Sequence, residues 1–235
     1  MKIDDIYIVH WKELKDRRKY LESKFQNNNV CWIDFYDRKT ITNEDINKIY
    51  KKDEKLWNNR VEKLYNNPPE YRELRISEVC NSLSHIYAID DIISRDIEYG
   101  LILEDDVILK HNFFESFDNF FYDTPSDFDI IFLGSSYSTK ILDGVGLELN
   151  KPEIVLSDDI FVYEKFRNPK TRTVDAYILK KSTCVKLKNI INEISLPYDF
   201  DLAYFIKELD LKVYWWEPGL VFQGSQSGYY SSSIR

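Results

Sequence analysis

Residues 99–108 read YGLILEDDVI, an apolar run broken by three adjacent carboxylates, Glu104, Asp105 and Asp106. Adjacent acids repel: two unit charges about 4 Å apart cost on the order of 4 kcal/mol at an effective dielectric of about 20. Water, a raised pKa or a bound cation relieves that cost. A solvated turn capping the next helix would use water. Here LIL precedes the acids and VIL follows them, so they interrupt a segment patterned for burial. In an extended stretch Glu104 and Asp106 share one face and Asp105 points the other way. A divalent metal on Asp106, with a diphosphate as its other ligand, would neutralise both partners.

The surrounding pattern tells which elements must carry these acids. Ile3 to Val9 is an apolar run read as a first strand, followed by a helix over 12–27 and a strand over 30–36. Thr42, with Asp45 three residues on, caps a helix expected to run to about Tyr65. From Ser77, apolar residues at Val79, Leu83, Ile86, Ile89, Ile93 and Ile97 recur at helical spacing, and Gly100 is placed where a helix ends. LIL is a buried strand. Phe113, Phe117, Phe120 and Phe121 mark another helix, and residues 129–134, DIIFLG, another strand. Residues 135–170 are turn-rich and read as a long loop with room for a hairpin. A strand over 174–179, helices over 181–194 and 199–209, and a strand over 213–216 complete the pattern. Strands alternating with helices predict one α/β domain with a mostly parallel sheet and a flexible tail from about 224 to 235. In such sheets ligands bind outside the carboxyl ends of strands, which is where LIL delivers its acids.

Composition limits the partners. The 235 residues carry a net charge of −8, which argues against a nucleic-acid binder. Three isolated cysteines, Cys31, Cys80 and Cys184, and three histidines leave no zinc-type ligand set, so a metal site would be built from oxygen and would suit Mn or Mg. The start, MKIDDIYIVHWKELKDRR, lacks a signal-peptide pattern, and no stretch is long enough to span a bilayer. A cytoplasmic or other reducing compartment is the expectation.

Several stretches, in order, resemble glycosyltransferase family 25, the lipooligosaccharide and collagen-type galactosyltransferases. SEVCNSLSH (77–85) looks like the family's G-E-I-G-C-x-L-S-H, LILEDDV (101–107) its A-L-I-L-E-D-D-V, and FDIIFLG (128–134) its W-D-I-I-F-L-G. VDAYILKK (174–181) is similar to T-x-A-Y-I-I-S-K, LPYD (196–199) to L-P-x-D, and VYWWEPGLVFQGS (213–225) to V-Y-x-x-x-P-x-L-V-x-Q-x-S. The first strand with DRR (16–18) resembles I-N-L-x-x-R-x-x-R. The departures are His10 and Trp11 for Asn-Leu, Arg38 after Asp37 where a glycine is common, Cys80 and Asn81 for Gly-Cys, and Val174 for Thr.

The resemblance implies a GT-A-type fold and an inverting transfer, from a UDP-sugar, most simply galactose, to a hydroxyl. The acceptor would be a glycan, a lipid-linked oligosaccharide or a hydroxylysine-bearing protein. It assigns Asp105 and Asp106 to the metal and donor sugar with Glu104 in support. Asp199 becomes the candidate base, with Asp201 its rival and Asp175 a further candidate; a helix N-cap is the plainer role for Asp199. Arg17 and Arg18 are candidates for the diphosphate or else a solvated helix face, and Asp37 for the ribose or uracil. Ser84 and His85 fall beneath the donor or in the core. Gln223 and Ser225 reach the metal or phosphates if the tail folds over the donor. A binding protein without turnover and a metal-dependent phosphohydrolase are the competing readings; the latter wants an aspartate at the end of the first strand, whereas Asp4 and Asp5 precede it.

Overall fold

The computed structural model describes residues 3–134, 154–157, 160–162, 173–216 and 219–232. In chain order β1 (Asp5–Val9), α1 (Lys15–Lys24) and β2 (Val30–Ile33) lead to α2 (Asn43–Ile49), α3 (Glu54–Leu64) and α4 (Ile76–Ser94). Then come β3 (Tyr99–Glu104), β4 (Val107–Leu109), α5 (Phe113–Asp123), β5 (Ile130–Phe132), β6 (Ile154–Ser157) and β7 (Ile160–Val162). β8 (Ala176–Lys180), α6 (Lys181–Ile190), α7 (Tyr198–Glu208), β9 (Val213–Trp215) and β10 (Val221–Gln223) follow.

Six strands form the central sheet in the order β2-β1-β3-β8-β5-β9. Its pairings are parallel except at β8, which runs antiparallel to both β3 and β5. The expected α/β architecture, a mostly parallel sheet flanked by helices, is the one observed. β6 and β7 pair antiparallel, giving the hairpin allowed for in the long loop; the rest of that loop lies outside the described residues.

The period of two along each strand divides the core between two layers. Tyr7, Val9, Ile102, Tyr177 and Leu179 face α3, α4, α6 and α7. Ile6, Ile8, Leu101, Leu103, Ala176 and Ile178 face α1 and α5, with Phe113, Phe117, Phe120 and Phe121 covering them. Glu104 continues the parity of Ile102 and so faces α4. That parity fixes which layer each acid meets.

Two boundaries differ from expectation. The helix expected from 42 to 65 is two helices, because Tyr50 is extended, bridges Ile194 and accepts the Leu74 N–H at 2.8 Å on its hydroxyl. Asp53 then caps α3 by accepting from Leu56 N at 3.0 Å. α4 stops not at Gly100 but at Arg95, with Asp96 in the left-handed region at φ 59°. Gly100 lies within β3, where a Cβ would come within 2.5 Å of Ile92. The strand needs the glycine for close packing against α4 rather than for a helix stop.

Candidate active site

The acids at the end of β3 diverge as the pleat dictates. Asp105 turns toward α1. Its Oδ2 accepts from Trp11 N at 3.0 Å and lies 3.0 Å from His10 Nδ1, and its Oδ1 accepts from Arg17 Nη1 at 2.6 Å. Both oxygens of this buried side chain are taken, so Asp105 clamps the β1–α1 connection to β3 instead of standing free for a metal. Arg17 is equally committed. It is buried, its Nη2 donates to Ser231 O at 2.6 Å, and Tyr230 lies over its guanidinium at 4.9 Å. Arg18 points elsewhere, paired with Glu22 and Asp34 and stacked on Trp32.

Glu104 and Asp106 are different. Glu104 accepts from Asn81 Nδ2 at 2.9 Å, and burial, with Asp105 nearby, pushes its carboxyl up to about 7. Asp106 is buried, its Oδ1 has no hydrogen-bond partner, and burial followed by the charge of Glu104 raises it to about 6, with Ser225 as its hydrogen-bond donor. Asp199 lies in the first turn of α7, whose N-cap is Pro197, so it is not the cap. Burial and then Glu104 lift it to about 6.

Two cavities meet here. One, of about 110 Å³, is lined by Trp11, Tyr36 and Arg38 and by Asp106, Gln223 and Ser225. Ser77, Asn81 and Ser84 form a polar stripe along its α4 wall. The second, of about 330 Å³, is lined by Glu78, Val174, Tyr198, Asp199, Phe200 and Gln226 among others. Glu104, Asn81 and Gln223 belong to both, so Glu104 stands on the partition between them.

The remaining candidates support this site from below or behind. Asp201 is buried against Arg60 at 2.5 Å and accepts from Ser195 N and Leu196 N at 3.0 and 3.2 Å. It shapes the turn that presents Asp199 and does not reach the cavities. Asp201→Ala would leave Arg60 charged and unmatched, and the expected loss is about 3–5 kcal/mol in urea unfolding, against a near-neutral effect for Asp199→Asn. Asp175 is fully buried beside Gly134, with the Thr173 hydroxyl on its carboxylate. His85 is fully buried, stacked on Tyr198 at 4.2 Å with Nδ1 2.8 Å from the Tyr177 hydroxyl, and burial drives it down to about 3, so it is a neutral core residue. Asp37 is buried and held low by the Lys39 N–H, with Lys12 beside it; its neighbours Tyr36 and Arg38 line the cavity instead. Ser84, Gln223 and Ser225 do line it.

Residues 224–232 of the tail expected to be flexible lie over the acids. β10 pairs with β4, Gly224 N donates to Asp106 O at 2.7 Å, and Tyr230 N donates to Gly224 O at 3.0 Å. The sequence reading missed Asn81 as the partner of Glu104. The signal was its spacing: Ser77, Asn81 and Ser84 recur at i, i+4 and i+7, on one face of α4.

The donor set suits a hard cation: oxygen ligands, a buried Asp106 oxygen without a partner, and two neighbouring carboxyls raised by burial. Among the described residues no three His, Cys, Asp or Glu side chains converge as a ready-made metal cage. The protein would therefore contribute one or two ligands, with the substrate completing the shell. Carboxyls with raised pKa values oppose folding once ionised. Their stabilising share is full below about pH 4, their unfolded range, and is lost as pH rises through about 6 to 7. Paired substitution of Glu104→Gln with Asp106→Asn should accordingly raise the urea midpoint at about pH 8 and do little at about pH 4.

Among the described residues no helix is long and apolar enough to cross a membrane. Procollagen galactosyltransferase 2 of Mus musculus is 27% identical over 139 residues, 57% of this chain and 21% of that protein's length. The chain thus corresponds to about a fifth of that relative. Two solved structures overlap loosely: A197 from STIV, with a TM-score of 0.43 and 11% identity over 90% of this chain and 80% of that one, and mannose-1-phosphate geranyltransferase from Thermus thermophilus, with 0.42 and 10% over 95% and 74%. The sequence model of glycosyltransferase family 25, described as an LPS biosynthesis protein, matches residues 3–202. That span takes in β1, the β3 acids and Asp199 together, and the chain belongs to glycosyltransferase family 25.

Proposed function

We propose that this protein is an inverting, metal-dependent transferase that moves galactose from a UDP-sugar to a hydroxyl of a glycan, lipid-linked oligosaccharide or glycoprotein. The observation that carries the reading is the pair of cavities meeting at Glu104, one holding Asp106 and the other Asp199. A transfer between two substrates needs two adjoining sites, and the acids fall one to each.

Asp106, with Glu104 beside it, would hold a Mn or Mg ion. A bound dication would offset the charge of the leaving diphosphate. Asp199 takes the proton of the acceptor hydroxyl as that oxygen attacks the anomeric carbon, and the nucleoside diphosphate leaves from the opposite face. A base with a pKa near 6 suits that task near neutral pH. Asn81 fixes Glu104 on the partition, and burial, with Glu104 second, keeps Asp199 basic. The donor cavity of about 110 Å³ is below the roughly 300 Å³ of ordinary ligand sites, and the docked 224–232 turn, which adds Ser225 and Ser232 to its lining, is the part that would move to enlarge it.

The phosphohydrolase reading lacks its nucleophile. Asp5 stands at the opposite end of the strands, beside Gly100 and paired with Arg95 at 2.7 Å, and His10 follows the end of β1. A donor screen with UDP-galactose, UDP-glucose and GDP-mannose, read by product mass, tests the assignment. Galactosylated product from UDP-galactose with Mn is expected; phosphate release from simple phosphoesters without glycoside formation would refute it.

A further inference from the structure

His85 packs as a core residue, yet one of its ring nitrogens is left over. The side chain is fully buried on α4, and its ring lies parallel to that of Tyr198, with 4.2 Å between centroids and 4° between planes. Nδ1 is 2.8 Å from the Tyr177 hydroxyl, which is 3.3 Å from the Tyr198 hydroxyl. Nε2 is buried without a hydrogen-bond partner, and Glu104 Oε1 lies 3.8 Å from it.

The same carboxylate oxygen is already held from α4. Asn81 Nδ2 donates to Glu104 Oε1 at 2.9 Å, and His85 stands four residues further along that helix, on the same face. Strand β3 sends Glu104 toward this face, because Glu104 shares the parity of Ile102. The stacked ring cannot turn Nε2 elsewhere without losing its contact with Tyr198. A small rotation of the carboxylate closes the remaining gap to hydrogen-bond length.

Which nitrogen carries the proton decides what His85 can do. An ionised carboxylate accepts and does not donate. A bare Nε2 lone pair beside it would set two buried acceptors against each other and leave both unsatisfied. A proton on Nε2 resolves the arrangement. Hydroxyl protons rotate to suit their partners, so Tyr177 turns its proton to Nδ1 and accepts from Tyr198, and Nε2–H is presented to Glu104.

We infer that His85 is a positioning residue that carries its proton on Nε2 and is the second tether of Glu104, holding that carboxylate on the partition between the two cavities. The inference rests on the transfer reading above, in which Glu104 stands between Asp106 and Asp199. It adds the residue beneath them, which acts through Glu104 and not on either substrate.

The test has two arms. In the first, the wild type is isotopically labelled in its histidine nitrogens, and nitrogen–proton couplings locate the ring proton on each of His10, His85 and His111, with His85→Gln assigning the signal. A proton on Nε2 of His85 is expected at neutral pH, and a proton on Nδ1 overturns the inference whatever the activity. In the second, turnover of UDP-galactose in Mn is measured for the wild type, His85→Gln and His85→Asn, and for both changes combined with Glu104→Gln. The Gln amide reaches where Nε2 stands, and the Asn amide where Nδ1 stands. Per folded molecule, His85→Gln should stay within about threefold of the wild type and His85→Asn should lose about tenfold or more in kcat, the scale of one charged hydrogen bond. In the Glu104→Gln background the two should turn over alike. Equal activity of the Gln and Asn variants with Glu104 intact, or a difference that persists without its carboxylate, overturns the inference. A wild type that turns over no UDP-sugar refutes the transfer reading instead, and the place of the His85 proton then still decides the tether.

Discussion

Replacing Asp106 with Asn will lower sugar transfer by on the order of 10³-fold and leave the protein as stable as before or more so. The two effects have one cause. Asp106 is buried with an oxygen lacking a partner, and its carboxyl is raised to about 6 by burial and by Glu104. In the empty protein its ionised form is therefore a cost to folding, and an amide removes that cost. Under the proposed function the same negative charge is what would hold a cation against a diphosphate. Steady-state kinetics together with urea melts at about pH 8 separate these terms. A core aspartate of purely structural importance would give the opposite pairing, lost stability with retained turnover per folded molecule.

The second large effect falls on the other cavity. Asp199→Asn should cut kcat by about 10²- to 10⁴-fold, the range for loss of a general base, while the KM for the donor changes little. The donor contacts proposed above fall in the cavity with Asp106, and Asp199 lines its neighbour. The pH profile adds a sign. Activity of the wild type should fall as pH drops below about 6, because the base must be unprotonated. Glu104→Gln removes the nearby like charge that helps to raise Asp199, and the acid limb should then shift to lower pH. An acid limb that stays in place in Asp199→Asn would show that another group is the base.

Much of this was legible in the chain, and the parts that were not share a reason. Apolar runs such as IYIV, LIL and AYIL placed these strands, and the two-residue period of an extended chain anticipated that Asp105 would leave the face shared by Glu104 and Asp106. What alternation cannot show is what waits on the other face. Arg17 looked available for a phosphate, yet it is consumed by Asp105, a partner 88 residues away. Asp201 and Asp199 looked interchangeable two residues apart, but α7 turns one toward Arg60 and the other toward the cavity. The single helix expected from 42 to 65 broke because Tyr50 has long-range partners in Leu74 and Ile194 that outweigh local propensity. Local pattern sets the elements and their faces; long-range pairing decides which charges remain for chemistry.

The most direct measurement is UDP release from UDP-galactose by the purified protein, with a sugar acceptor, in Mn, in a chelator, and in the Asp106→Asn and Asp199→Asn variants. The account predicts release in Mn alone, abolished by chelation, and reduced at least about 10²-fold by either substitution. Release that persists undiminished in chelator and in both variants would contradict the placement of donor and acceptor on the two sides of Glu104.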